Sequence, residues 1–300
     1  LITVRLPAST SNLGPGFDVL GLALSMYLHL TAETDDKVAI SVSGDGVSEI
    51  SLDETNLVYR AFCEFHQRIG KAPTGLKLHI DNHIPTNGGL GASGAAIVGG
   101  VLIANEFSSE QLPREELLNI AASIEGHPDN VSATLFGGLT ISSYDNGKWR
   151  YYSIPIGSAL KIVTVIPEFR ILTSEARKAL PQQITLSDAV HNIGHTAYLV
   201  SALQSGDFEM LRFAMSDRIH EPFRARLIPG YDEVKQAGLE HGALSVNISG
   251  SGSTVVAFTL KNEHEIGEAM TKAFLNCGVK AKYRILTVDN QGAVVSRVSS

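Results

Sequence analysis

Apolar and polar positions along the chain fall into short blocks of two different periods, and those blocks predict an α+β protein. Ile2 to Leu6 is strand-like, and Ala23–Thr31 and Lys37–Ser43 alternate apolar with polar residues, the pattern of a half-buried strand. Gly75–Ile80, Gly137–Tyr144 and Trp149–Ile154 read the same way. Asp145-Asn146-Gly147 between the last two is a hairpin turn signal. Helical spacing takes over in Asn56–Ile69, where Leu57, Ala61, Phe62 and Phe65 share a face and Asp53-Glu54-Thr55-Asn56 offers capping oxygens. Pro113 followed by Glu115 and Glu116 opens another helix, which runs to Glu125, because proline suits the first turn and acids suit its positive end. The second half mixes strands at 160–166, 243–248, 254–260 and 281–287 with helices at 186–204, 208–215, 231–241 and 263–276. That order is not a regular βαβα series.

Length and composition narrow the class. At roughly 150 residues per domain, 300 residues predict two domains, and a break within 145–158 divides them as 1–154 and 155–300. Hydrophobic residues make up 44% and charged residues 18%, against roughly 25% charged in an average chain, which excludes a disordered protein. The net charge of −7 lacks the footprint of a nucleic-acid binder. Cys63 and Cys277 form no CxxC, fit a reducing cytoplasm, and are expected to be buried small hydrophobes. The first residues do not form a signal peptide. The run from Ile84 to Asn105 carries no formal charge and is long enough to span a bilayer. It opens with Pro85-Thr86-Asn87-Gly88-Gly89, however, so a glycine loop entering a short buried helix is the expectation, with no membrane partner.

Several motifs are absent. No GxxxxGK[ST] and no GxGxxG opening a βαβ unit occur. Gly91-Ala92-Ser93-Gly94-Ala95 breaks the nucleophile elbow at its last position. His191 and His195 lie four apart on a helix without a third zinc ligand, so they are expected to be ordinary helix residues.

Three glycine-rich segments carry the chemistry. Pro7 to Gly21, PASTSNLGPGFDVLG, is too polar and too rich in turn formers to be only a strand connection. Pro85 to Ala96, PTNGGLGASGAA, is a glycine turn running into an apolar helix, where backbone N–H groups and the helix dipole favour an anion. Val246 to Thr254, VNISGSGST, is a turn leading into an apolar strand.

Together these segments resemble the three motifs of the GHMP kinases, which use ATP without a P-loop. Within that family the match is closest to the homoserine-kinase branch. The first segment is similar to that branch's own version, as are Glu125-Gly126-His127-Pro128-Asp129-Asn130-Val131, Thr173-Ser174-Glu175-Ala176-Arg177 and His220-Glu221-Pro222-Phe223-Arg224 with Leu227-Ile228-Pro229-Gly230. The landmarks run in family order over nearly the whole chain. Two departures stand out. The usual Gly-Leu-Gly-Ser-Ser-Ala reads Gly89-Leu90-Gly91-Ala92-Ser93-Gly94, keeping the second serine, and Ser253 stands where proline is usual.

The resemblance implies a two-lobed fold, an N-terminal mixed sheet with helices plus a C-terminal ferredoxin-like α/β sandwich. It implies ATP and Mg²⁺ as cofactors, L-homoserine as the phosphate acceptor in threonine biosynthesis, and a homodimer. Ser93 and Glu125 would ligate the magnesium, and Ser93, Glu125 and Asn130 would serve the chemistry. Glu125 at a helix C-terminus is disfavoured by the dipole, which a cation would explain. ATP would lie against Pro85, Gly88, Gly89, Leu90, Gly91, Ala92, Ser93 and Thr173. Asn56 and Val58 resemble the adenine-contacting segment, and Asn56 reads equally well as a helix cap. The acceptor's carboxylate would meet Arg177 and Arg224, its ammonium Asp18, and its polar atoms Asn12 and Asn130, a set that favours a zwitterion over mevalonate or a sugar. A catalytically silent regulatory protein would have lost Ser93 and Glu125. No general base is required, and Asp129 is the residue on which that expectation turns.

Overall fold

In the computed structural model, residues 1–86 and 88–297 are described. Asn87 of the glycine loop lies outside them. Strand β1 (Ile2–Ser11) pairs antiparallel with the long β2 (Leu20–Asp35), and β2 pairs in turn with β4 (Gly75–Asn82). β3 (Ala39–Gly44) joins β4 in parallel, which makes this sheet mixed. β5 (Leu139–Asp145) pairs with the start of β2 and forms the hairpin with β6 (Lys148–Ile154). β11 (Val294–Arg297) returns from the end of the chain to pair with β1. Met26, Leu28, Leu30 and Ala32 alternate inward along β2, as the period-two pattern demands.

Helices cover the inner face of this sheet. α1 (Leu57–Arg68) starts on Asn56, whose side chain accepts from the N–H of Val58, so the capping role exists. α2 (Ala92–Phe107) is buried almost all round, which explains the uncharged run without a membrane. Among the described residues no helix is long and apolar enough to cross one. α3 (Arg114–Glu125) and α4 (Asp129–Phe136) flank α2.

The second sheet holds β7 (Lys161–Pro167), β8 (Ser245–Ile248), β9 (Val255–Thr259) and β10 (Ala281–Leu286) in the order β10-β7-β9-β8, antiparallel throughout. Numbered from β7, that is the 4-1-3-2 order of a ferredoxin-like sandwich. One face packs on α9 (Tyr231–Glu240) and α10 (Glu263–Asn276) through Val163, Val165, Ile248, Val255 and Ala257. The other sends Ile162, Val256 and Phe258 into the large core shared with the first sheet. Apolar residues on both faces make Lys161–Pro167 nearly continuous in hydrophobicity. Between β7 and β8 lie α5 (Thr173–Lys178), α6 (Leu186–Ser205), α7 (Leu211–Ala214) and α8 (Glu221–Arg224).

Two expectations need correction, and α4 has no sequence signal. β1 does not stop at Leu6 but runs through Pro-Ala-Ser-Thr-Ser. The hydroxyls of Ser9, Thr10 and Ser11 find buried partners in Asn130 and Ser249, so a polar run is tolerated inside a strand. α4 shows no helical period because it is buried on every side. Cys63 and Cys277 are free but only partly buried.

α1 and α2 approach so closely that a Cβ on Gly100 would lie 2.1 Å from the carbonyl oxygen of Val58. Gly100→Ala is expected to lower the unfolding free energy by about 1–3 kcal/mol, the usual cost of overpacking. Urea titration checks it: the midpoint falls while the slope stays the same.

Candidate active site

The three glycine segments meet at one place, held by backbone contacts. Ser9 N–H donates to Leu90 O at 3.1 Å, Thr254 N–H to Gly88 O at 3.1 Å, and Gly250 N–H to Ser11 O at 3.2 Å. The Ser249 hydroxyl donates to Gly89 O at 2.6 Å. No side chain fits at the crossing points. Gly89, with φ +76°, would place a Cβ 2.1 Å from Ser249 O, and Gly91, with φ +71°, would place one 2.1 Å from Ser9 Oγ. The loop therefore arrives at the N-terminus of α2 with its backbone bare.

A cavity of about 230 Å³ opens over this junction, and a second of about 370 Å³ adjoins it. Both are lined by Thr86, Ala92 and Ser93. The first is also lined by Pro85, Gly88 to Gly91, Thr173, Glu125 and Asn130, with Asn12, Asp18, Arg177 and Arg224. The second is lined by Asn56, Leu57 and Val58 at the start of α1, with Ile80 and Ala96. Every residue singled out for ATP, metal or acceptor thus borders one of two connected spaces.

Ser93, on the first turn of α2, donates its hydroxyl to Glu125 Oε1 at 2.5 Å. Burial pushes the Glu125 carboxyl up, and the Ser93 hydrogen bond and the charge of His127 offset this only in part. A buried carboxylate beside a hydroxyl, both offering oxygen, is a donor set that suits a hard divalent cation. Among the described residues there is no cluster of three or more His, Cys, Asp or Glu for a metal, so further ligands would have to come from phosphate and water. His191 and His195 stack on each other and bond to Ser216 and Phe213, as ordinary helix residues do.

His127 has no role legible in the motif that contains it, yet it is central to this wall. Its Nδ1 donates to Asp129 Oδ1 at 2.6 Å, and its Nε2 lies 3.7 Å from Glu125. Burial by itself would lower the His127 pKa, but the bond to Asp129 and the charges of Asp129 and Glu125 raise it overall. For Asp129 burial acts upward, and the His127 hydrogen bond and charge, the Asn130 N–H and Ser11 bring it below its ordinary value. The two form a partly buried ion pair. Asn130 is held by Ser9 and Ser11 from β1.

Elsewhere on the wall of the first cavity Arg177 grips Asp18 bidentately at 3.0 and 3.2 Å. Asn12 spends both ends of its amide on the protein: Oδ1 accepts from Asp18 N–H at 3.0 Å and Nδ2 donates to Gly250 O at 2.9 Å. It shapes the loop that carries Asp18. Arg224 is only 3% exposed; its Nη1 donates to Gly250 O at 2.9 Å and its guanidinium lies 5.1 Å over the Phe17 ring. Its Nε finds no partner among the described residues. Burial lowers its pKa, yet a guanidinium stays charged, so a buried cation lines the cavity.

Arg224 is itself held from behind. Asp217 accepts from the N–H groups of Ile219, His220 and Glu221 and from Asn192 Nδ2, capping the turn that starts α8. His220 Nε2 donates to Gly14 O at 2.8 Å and stacks on Phe17 at 5.3 Å. α8 is tied in this way to the first glycine segment. Asp217 was not legible beforehand, because its partners are backbone groups brought round by the turn.

Comparison with known proteins agrees with this arrangement. Residues 56–138 match the GHMP kinases N terminal domain and residues 199–276 the GHMP kinases C terminal domain. The chain belongs to the GHMP kinase family. It is 40% identical over 295 residues to the homoserine kinase of Carboxydothermus hydrogenoformans, covering 98% of this chain and 96% of that protein. It is 41% identical over 292 residues to the homoserine kinase of Moorella thermoacetica, covering 97% and 99%. The crystal structure of homoserine kinase from Cytophaga hutchinsonii superposes with a TM-score of 0.86 at 32% identity, covering 98% of this chain and 97% of that one. Within its family the chain falls among the homoserine kinases.

The Asp217 cap has a pH signature. Burial opposes its ionisation, but the charge of His220, the Asn192 amide and the backbone N–H groups outweigh that and hold its pKa below the ordinary 3.8. The stabilisation is therefore complete above that ordinary value and is lost as pH falls through the folded value. Asp217→Asn is expected to cost about 1.5–3 kcal/mol near neutral pH. Denaturant titrations at a series of pH values should show the gap between wild type and variant closing only below the ordinary carboxylate range.

Proposed function

We propose that the protein transfers the γ-phosphoryl group of ATP to the side-chain hydroxyl of L-homoserine, giving ADP and O-phospho-L-homoserine, a step of threonine biosynthesis. The observation that carries this reading is Arg224, a buried guanidinium that lines the same cavity as Asp18 and Arg177. A carboxylate is the group that uses such a fork, and Asp18, paired with Arg177 in the free protein, would exchange that partner for the ammonium. Mevalonate and sugars have no ammonium to place there.

On the nucleotide side, the bare N–H groups of the loop into α2 receive the phosphates, and the space beside Asn56 and Val58 receives the adenine. Ser93 and Glu125 would hold Mg²⁺, which supplies charge neutralisation for the transferring phosphoryl group. Asn130, fixed by two serines of β1, orients the acceptor. Phosphoryl transfer asks for alignment and electrostatics rather than covalent help. No protein base is needed for the hydroxyl proton, which passes to phosphate or water. Asp129 is a poor base in any case: it is 2% exposed, its pKa is held low, and its Oδ1 is taken by His127 and the Asn130 N–H.

An ADP-release assay with homoserine, mevalonate, galactose and shikimate, with and without magnesium, tests the reaction. Turnover is expected with homoserine and magnesium, and silence with homoserine would overturn the assignment. In the same assay Arg224→Ala should raise the KM for homoserine by about 30-fold or more, the cost of leaving a carboxylate unpaired, and leave the KM for ATP nearly unchanged. Equal effects on both would remove Arg224 from the acceptor clamp. Asp129→Asn should lower kcat by less than about 100-fold, because a true general base contributes about 100-fold or more.

A further inference from the structure

The two adjoining cavities meet charge in different ways. The first borders Arg177 and Arg224, which serve the acceptor in the proposed reaction. Among the described residues lining the second, Arg170 is the only cation and Glu49 the only acid. A nucleotide with its adenine beside Asn56 and its γ-phosphoryl group near Ser93 runs its phosphate chain from the second cavity into the first. The bare N–H groups of the glycine loop and the magnesium assigned to Ser93 and Glu125 serve the far end of that path. The near end, where the chain leaves the adenine space, has Arg170.

Arg170 is supplied by the second sheet, on the segment between β7 and α5. Its guanidinium pairs with Glu49, from the segment between β3 and α1. The same carboxylate accepts from the hydroxyl of Thr86. Thr86 belongs to the glycine loop and lines both cavities. One carboxylate thus holds Arg170 beside the passage from one space to the other. The Arg170 and Glu49 side chains are 51% and 35% exposed. An ion pair this exposed contributes little, because water screens it and two long side chains must be held still. A guanidinium fork matches phosphate as well as it matches carboxylate, and a phosphate chain brings more negative charge. Exchange of Glu49 for phosphate is therefore favourable once a nucleotide is bound.

We propose that Arg170 is a phosphate ligand of the nucleotide site, held on Glu49 in the free protein and passed to the phosphate chain on binding. It takes the part of the chain next to the adenosine, the α- and β-phosphates, and leaves the γ-phosphoryl group to the Ser93 end. The contact also draws the segment between β7 and α5 onto the nucleotide. The proposal rests on the nucleotide reading above and adds to it a residue that lies outside all three glycine segments.

Calorimetry on the full chain would measure ADP with magnesium, and saturation-transfer NMR would measure adenosine as the phosphate-free control. Arg170→Ala is expected to weaken ADP binding by about fivefold or more and to leave adenosine within about twofold, since only the phosphates lose a partner. Glu49→Gln releases Arg170 and should bind ADP at least as tightly as the wild type, whereas an ion pair that merely holds the structure would make both variants lose affinity alike. Arg297→Ala removes an exposed arginine that lines neither cavity and should stay close to the wild type. Thermal melts report whether each variant is folded, and if Arg170→Ala is not, Arg170→Gln decides. Unchanged ADP affinity in the folded variant, an equal loss for adenosine, or the same loss in Glu49→Gln would overturn the proposal while leaving the nucleotide reading intact. Wild-type protein that binds no ADP would overturn the nucleotide reading itself, and this proposal with it.

Discussion

The structure depends on a backbone-to-backbone clasp among three glycine segments. β1 ends in one, α2 begins in another, and the third links β8 to β9, so the clasp joins the two sheets as well as closing the site. Its contacts are too close for side chains: at Gly89 and Gly91 a Cβ would lie 2.1 Å from another segment's atoms. The bare loop backbone at the head of α2 is a consequence of that closeness, and it is what an anion needs. The phosphate site proposed at the head of α2 thus rests on one steric constraint.

Around the clasp the charges are few and each is placed. A chain with 18% charged residues nevertheless buries Asp129 and Arg224 and half-buries Glu125 and His127 beside them. Buried charges are tolerated when paired and hydrogen-bonded. His127 and Asp129 satisfy each other. Glu125 and Arg224 are satisfied only in part, and both line the first cavity. In the proposed reaction the incompletely satisfied groups are the ones that would take the metal and the acceptor, and the satisfied ones would hold them in place.

Much of this was legible beforehand. The four strands of the second sheet, the helices α6, α9 and α10, the hairpin at 145–147 and the helix started by Pro113 follow from periodicity and turn chemistry. The site residues Asp18, Ser93, Glu125, Arg177 and Arg224 came from motif resemblance rather than from pattern, since an isolated arginine or serine has no signature. What escaped has a common cause. β1 beyond Leu6, α4 and the return of β11 to β1 each depend on burial against distant residues, and a period-based reading sees only near neighbours. His127 and Asp217 escaped for the same reason, because their partners are set by how a turn or a helix end folds back.

By itself the sequence determined the class of architecture, the order of the elements, the three glycine segments and the identity of the groups that can do chemistry. Those are local properties, written in spacing, turn residues and side-chain type. Only the tertiary structure decided which of those groups meet: that Asn12 shapes a loop with both ends of its amide, that Asp18 lies against Arg177, and that Arg224 keeps a donor free. Distances across hundreds of residues, and the balance of burial against pairing at each charge, arise from packing. No local pattern encodes them.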